Sequence, residues 1–81
     1  MTGGLPACRA RDVLRALGNA GFVEKRVSGS HYILVHREDP ARAVTIPYHG
    51  SRDLKPGTLW AIIRQAGLSV EEFNELLWKR S

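Results

Sequence analysis

An 81-residue chain with 43% hydrophobic and 25% charged residues has room for one small domain with a single core. Twelve Lys and Arg against eight Asp and Glu give a formal charge of +4, which favours nucleic acid or another anionic partner. Because Cys8 is the single cysteine, no internal disulfide is possible. The chain shows no apolar run long enough for a membrane span and no signal peptide, so we expect a cytoplasmic protein without a membrane partner.

The first predicted element is a helix. Residues 1–7 contain two glycines and a proline, so we expect residues 1–8 to be a flexible N-terminus and residues 9–81 to form a single domain. Over residues 9–19, apolar residues recur at the spacing of an amphipathic helix, with basic residues between them. Gly21 then stands where a left-handed helix cap is expected.

Three short strands are predicted next. The segments 22–27, 31–35 and 43–46 contain the β-branched and aromatic residues that favour extended structure. Gly29 allows a tight turn between the first two strands, and Pro47 ends the third. These short connections predict an antiparallel meander.

Two more helices complete the pattern. Pro56 suits the first turn of a helix over residues 56–66, and Gly67 follows as its cap. Ser69 and Glu72 have the spacing of a capping box, which predicts a last helix. The expected fold is α+β, in the order α-β-β-β-α-α, with a three-stranded antiparallel sheet and helices on one face. The other face is left open to solvent or a ligand.

The candidate chemistry rests on three histidines, His31, His36 and His49, because only these side chains are expected to titrate near neutrality. Their spacing matches no metal-ligand signature, so we expect no metal. The chain has no glycine-rich phosphate loop, and we expect no cofactor.

His31 directly follows the glycine turn, at the start of the most apolar strand. A neutral imidazole there could act as the general base for RNA cleavage, because RNA supplies its own nucleophile, the 2′-hydroxyl. The alternative is a structural histidine that hydrogen-bonds a neighbour, and spacing alone favours it. The alternation of side chains along the strand does not show which face of the sheet His31 lies on. It does place His36 on the opposite face from His31, and we expect His36 to be a surface residue. His49 is either an auxiliary proton donor or phosphate contact, or an ordinary loop histidine.

Several short sequence motifs follow one another along the chain in an order that is informative. They are Ala20-Gly21-Phe22, Gly29-Ser30-His31, Thr45-Ile46-Pro47-Tyr48-His49-Gly50, Leu54-Lys55-Pro56-Gly57-Thr58-Leu59 with Ile62, and Gln65-Ala66-Gly67-Leu68. Together, across residues 15–68, they resemble the HicA toxin family, the small RNA-cleaving partners of bacterial and archaeal toxin–antitoxin pairs.

This resemblance implies a fold like that of the double-stranded-RNA-binding domain and cleavage of mRNA. It implies that the essential histidine of the Gly-Ser-His phrase is His31, and that a HicB-like antitoxin binds the toxin and blocks it. The family's Pro-x-His-Gly phrase corresponds to Pro47, His49 and Gly50.

We therefore expect a metal-independent endoribonuclease toxin with His31 as general base. Lys25, Arg26, Arg52 and Lys55 are the candidate phosphate-binding residues. Two other interpretations are a non-catalytic RNA-binding module that uses the same basic surface, and a protein-interaction domain whose aromatic surface holds a partner.

Overall fold

The computed structural model describes residues 5–48 and 52–79 and has the expected order of elements. These are α1 (Ala10–Asn19), β1 (Phe22–Ser28), β2 (His31–His36), β3 (Ala43–Pro47), α2 (Pro56–Ala66) and α3 (Val70–Trp78). The predicted α+β class is confirmed. The boundary at residue 8 stays a prediction. Within the described ranges, every helix is too short or too polar to cross a membrane.

The sheet has the strand order β1-β2-β3, and both pairs are antiparallel. An irregularity between Glu24 and Arg26 inserts one extra residue into β1, so that Arg26 pairs with Ile33. A regular strand would have put Lys25 opposite Ile33. Since side chains alternate between the two faces of a sheet, this bulge decides which basic residue shares a face with Ile33.

The helices cover one face of this sheet. The strand residues buried beneath them are Phe22, Leu34, Val44 and Ile46. Leu17 of α1 and Leu59 of α2 close the same core. We call the opposite side the outer face, and the strand pairing assigns to it Val23, Arg26 and Ser28 of β1, His31, Ile33 and Val35 of β2, and Ala43, Thr45 and Pro47 of β3. No described helix covers the outer face.

The capping box predicted for α3 is confirmed. The Ser69 hydroxyl accepts the backbone N–H of Glu72 at 3.0 Å, and the Glu72 carboxylate accepts the backbone N–H of Ser69 at 2.8 Å. Two backbone donors at the start of α3 are thereby satisfied, which fixes where this helix begins.

Helix α3 packs on α1 and completes the core. Its Phe73 is fully buried. The Arg15 guanidinium donates to the carbonyl oxygen of Leu77 at 2.9 Å, and the Asn19 amide donates to that of Leu76 at 3.1 Å. Side chains of α1 therefore bind carbonyl groups in the last turn of α3, where few helical N–H groups remain to do so.

His36 is half-buried, so the prediction that it is a surface residue is wrong. Its Nδ1 accepts the backbone N–H of Glu38 at 3.2 Å, so Nε2 carries the proton and donates to the carbonyl oxygen of Ala20 at 3.0 Å. Its ring meets Phe22 edge to face, with centroids 5.0 Å apart. Gly21 has a φ of +101°, and a Cβ there would lie 2.9 Å from His36 Nε2. His36 contacts the turn after α1, which lies far from it along the chain, so no local sequence pattern predicts this contact.

Candidate functional site

The β1–β2 turn and the end of β3 are joined at one end of the sheet. His31 is the residue that links them, since it pairs with Ser28 on β1 and with Pro47 on β3. The backbone N–H of Tyr48 donates to the carbonyl oxygen of Ser30 at 2.6 Å. The backbone around His31 is thus held on both sides, which positions its side chain on a supported strand rather than on a free loop.

The starts of both α1 and α2 reach the same end of the molecule. The backbone N–H of Leu54 donates to the carbonyl oxygen of Cys8 at 2.7 Å, and Arg9 forms an isolated antiparallel bridge with Asp53. The segment before α2 therefore lies against the segment before α1. This brings Arg9, an exposed residue that the sequence analysis did not single out, to the end of the sheet that carries His31.

The His31 side chain is exposed on the outer face. Ser28 and Pro47 flank it across the strands, and Ile33 follows it along β2 on the same face. Within residues 5–48 and 52–79, no side chain or backbone group hydrogen-bonds its ring. A structural histidine would hydrogen-bond a neighbouring group. An imidazole without such a hydrogen bond can accept a proton from a ligand.

Two of the predicted phosphate-binding residues lie on the exposed part of β1. The bulge turns Arg26 to the outer face, where the Arg26–Ile33 pair is two strand positions away from the Ser28–His31 pair. Lys25 is the extra residue of the bulge, and both side chains are exposed. Arg26 is therefore the better placed of the two to act together with His31.

The other two, Arg52 and Lys55, line a cavity of about 330 Å³ beside the end of β3. Pro47, the strand partner of His31, lines the same cavity, together with Asp53. Because Pro47 both lines the cavity and pairs with His31, the cavity lies next to the strand position of His31. Within the described chain, Arg26, Arg52 and Lys55 lie at or near the His31 end of the sheet, whereas Lys25 lies in the middle of β1.

The start of α2 adds further positive potential to this cavity. Lys55 is the N-cap of α2 and forms no side-chain capping hydrogen bond, and Pro56 occupies the first turn. The first turn of α2 also carries no acidic residue. The first amide groups of a helix point outward and favour anions, so Lys55 and the start of α2 would both attract a phosphate.

Two tyrosines lie behind the site. The rings of Tyr32 and Tyr48 are 5.1 Å apart and tilted by 37°, and both are half-buried against the core. They therefore support the strand ends more than they offer a free stacking surface. His49, the predicted auxiliary residue, lies outside the described residues.

Cys8, beneath this end, is 1% exposed and its thiol lies 3.4 Å from the carbonyl oxygen of Pro6. Burial raises the pKa of the Cys8 thiol, and the negative charges of Asp12 and Asp53 raise it further. A protonated, buried thiol is a poor nucleophile. Across residues 5–48 and 52–79, His, Cys, Asp and Glu nowhere gather in a group of three that could hold a metal ion.

These features describe a small basic α+β domain with an exposed histidine and, at the same end of its sheet, a cavity lined by Arg52 and Lys55. A family model described as the HicA toxin of bacterial toxin-antitoxin matches residues 10–68, from the start of α1 to the residue after the α2 cap. Because this match covers most of the chain, the chain belongs to the HicA toxin family, the toxin side of a toxin–antitoxin pair. Helix α3 lies beyond the matched residues. A search of curated proteins gave no match.

Proposed function

We propose that this HicA-family toxin is a metal-independent endoribonuclease that cleaves mRNA, with His31 as its general base. The observation that carries the proposal is the exposed His31 ring, free of hydrogen bonds to the described residues, at the basic end of the sheet. Family membership supplies the expectation of a toxin, and the site supplies a base beside cations.

In the proposed reaction, His31 takes the proton from a ribose 2′-hydroxyl. The 2′-oxygen attacks the adjacent phosphorus, and the bond from phosphorus to the 5′-oxygen breaks. The products are a 2′,3′-cyclic phosphate and a 5′-hydroxyl, whose proton comes from water or from His49. General-base assistance of this kind contributes about 10²–10⁴-fold in rate. No metal is needed, because RNA supplies the nucleophile and cationic side chains offset the negative charge that develops.

The phosphate-binding roles are divided between two places. Arg52 and Lys55, at the cavity beside Pro47, hold a phosphate neighbouring the scissile one, with help from the start of α2. Arg26, on the outer face next to the His31 position, contacts the scissile phosphate, and Lys25 contributes to the general attraction of RNA.

A HicB-like antitoxin would keep this activity in check. Family membership implies an antitoxin partner, and an exposed base beside cations is the part that must be blocked. Because the site is basic, an inhibitor that presents carboxylates there would bind faster and more selectively.

The test is cleavage of a defined single-stranded RNA oligonucleotide by the purified chain. Cleavage should persist in EDTA and produce a 2′,3′-cyclic phosphate end. An oligonucleotide of the same sequence with a single 2′-deoxyribose at the cut site is the matched control, and it should bind but resist cleavage at that position. Products with a 3′-hydroxyl and a 5′-phosphate, or activity that EDTA abolishes and a divalent ion restores, would contradict the mechanism. RNA binding without any cleavage would favour the non-catalytic module.

A further inference from the structure

The outer face of the sheet carries a group of adjacent aliphatic residues, and no described element covers this face. Val23, Ile33, Val35 and Ala43 lie together on it, because Val35 pairs with both Val23 and Ala43 and Ile33 precedes Val35 on the same face. Val23 is 40% exposed. We call these four residues the aliphatic patch. Because these side chains are contiguous rather than scattered singly over the surface, the patch is a candidate interaction site.

The chemistry of the patch favours a protein over RNA. Nucleic acid binds through stacking on aromatic rings and through polar or cationic contacts. The aliphatic patch offers neither, and the tyrosines near this end, Tyr32 and Tyr48, pack with the core instead. Aliphatic side chains gain free energy when another apolar surface excludes water from them.

The charges around the patch narrow the choice of partner. Arg26 and His31 border it on the outer face, towards the end of the sheet that carries the cavity of Arg52 and Lys55. The strand residues assigned to the outer face include no carboxylate. A complementary surface therefore has an aliphatic centre and an acidic margin.

We propose that the antitoxin binds the aliphatic patch through a surface with an aliphatic centre and an acidic edge, and that the bound antitoxin extends over His31. This inference rests on the proposed function for the inhibitory role of that partner. It adds where the partner binds and with what chemistry.

The size of the outer face explains why a partner bound to the patch would also cover the site. Three strands about 4.8 Å apart, each about five residues of 3.3 Å, give a projected area of roughly 240 Å². A stable interface buries about 800 Å² on each partner. The partner must therefore extend beyond the sheet face, and charge complementarity directs that extension over Arg26 and His31.

Two valines of β1 provide a matched pair of variants. Val23 and Val27 are 40% and 46% exposed, but Val23 pairs with Val35 on the outer face, whereas Val27 pairs with Tyr32 on the face that carries the helices. Val23→Glu should weaken binding to a HicB-like antitoxin that binds the unsubstituted chain by at least tenfold, since it places a carboxylate in the apolar contact. Val27→Glu should change the affinity by less than threefold.

Three controls accompany this comparison. Thermal unfolding should show that both variants are folded, and both should cleave RNA within twofold of the unsubstituted chain. Should Val23→Glu unfold, Val35→Thr, which keeps the shape of the side chain, should still weaken the complex measurably. Hydroxyl-radical labelling of Ile33 and Val35 should fall when the antitoxin is bound.

The outcomes separate this inference from the proposed function. Equal affinities of the two valine variants for the antitoxin, or unchanged labelling of Ile33 and Val35, would overturn the proposed binding site even if RNA is cleaved as expected. Loss of RNA cleavage in Val23→Glu with antitoxin binding intact would overturn it as well, because RNA would then occupy the outer face. A chain that binds the antitoxin through the patch but never cleaves RNA would contradict the proposed function alone.

Discussion

His31 and His36 begin and end the same strand but face opposite sides of the sheet. His31 is exposed on the outer face, whereas both ring nitrogens of His36 are engaged by the turn after α1 and the loop after β2. One histidine is thus available to a ligand, and the other holds two connections together. Their substitutions should separate activity from stability.

His31→Ala should lower the rate of RNA cleavage by at least about 100-fold, the lower end of a general base's contribution. The fold should be unaffected, because the side chain is exposed and hydrogen-bonds none of the described residues. Single-turnover cleavage and thermal unfolding, measured on the same preparation, test both points. Cleavage by the folded variant at the original rate would remove His31 from the mechanism.

His36→Ala should lower the free energy of unfolding by about 1–3 kcal/mol, since it leaves the partly buried carbonyl of Ala20 without its donor. The exposed N–H of Glu38 also loses its acceptor, but it can bind water instead. Urea denaturation gives the stability, and cleavage per folded molecule should stay unchanged. An unaltered urea midpoint would show that these hydrogen bonds contribute nothing to the fold.

The double variant Arg52→Ala/Lys55→Ala should weaken RNA binding and flatten its salt dependence. Each lost phosphate contact on a single strand lowers the slope of log K against log salt by about 0.7, so the pair should lower it by about 1.4. The matched control is Arg37→Ala/Arg64→Ala, which removes the same charge from exposed positions after β2 and in the last turn of α2. Equal slopes for the two double variants would mean that the cavity beside Pro47 does not hold phosphate.

Phe73→Ala should cost about 3–5 kcal/mol, a large share of the stability of a domain this small. The ring of Phe73 is fully buried between α3 and the rest of the core, whereas Trp78 on the same helix is 81% exposed. Trp78→Ala should therefore change stability by no more than about 0.5 kcal/mol. Chemical denaturation of both variants measures the contrast. Similar losses in the two would show that α3 does not stabilise the fold through its buried face.

Alkaline pH should destabilise the protein through Cys8. Burial raises the pKa of this thiol above its ordinary value of 9.0, so the folded state holds the proton more tightly than the unfolded state does. Stability is then complete below about pH 9 and falls as the pH rises further, because the unfolded chain ionises first. Urea denaturation from pH 7 to pH 10 should show a steeper decline for the natural chain than for Cys8→Ala. Parallel declines would contradict this.

Local sequence patterns were enough to predict the elements of this fold. The capping box of Ser69 and Glu72, the first-turn Pro56 and the cap at Gly67 all operate within a few residues, and the structure confirms each of them. Strand alternation also separated His31 from His36. Signals of this kind depend only on the nearest neighbours along the chain.

What the sequence did not predict depends on contacts between distant residues. The partner of His36 is the carbonyl of Ala20, and that contact exists only once β2 has paired with β1. The bulge in β1 lies in a run of exposed charged residues, where no hydrophobic pattern marks the register, so the exchange of Arg26 for Lys25 opposite Ile33 could not be read locally. The proximity of Arg9 to the site likewise comes from its bridge to Asp53.

The packing of α3 on α1 also governs when this protein can fold during its synthesis. The hydrogen bond from Arg15 to Leu77 joins residues 62 positions apart, and Phe73 fills the same core as Leu17. The ribosome adds about 5–20 residues per second, so α1 has been made for several seconds before its last neighbour emerges. A nascent chain that has emerged only as far as α2 therefore lacks Phe73, and the core of the toxin is completed only when α3 has left the ribosome.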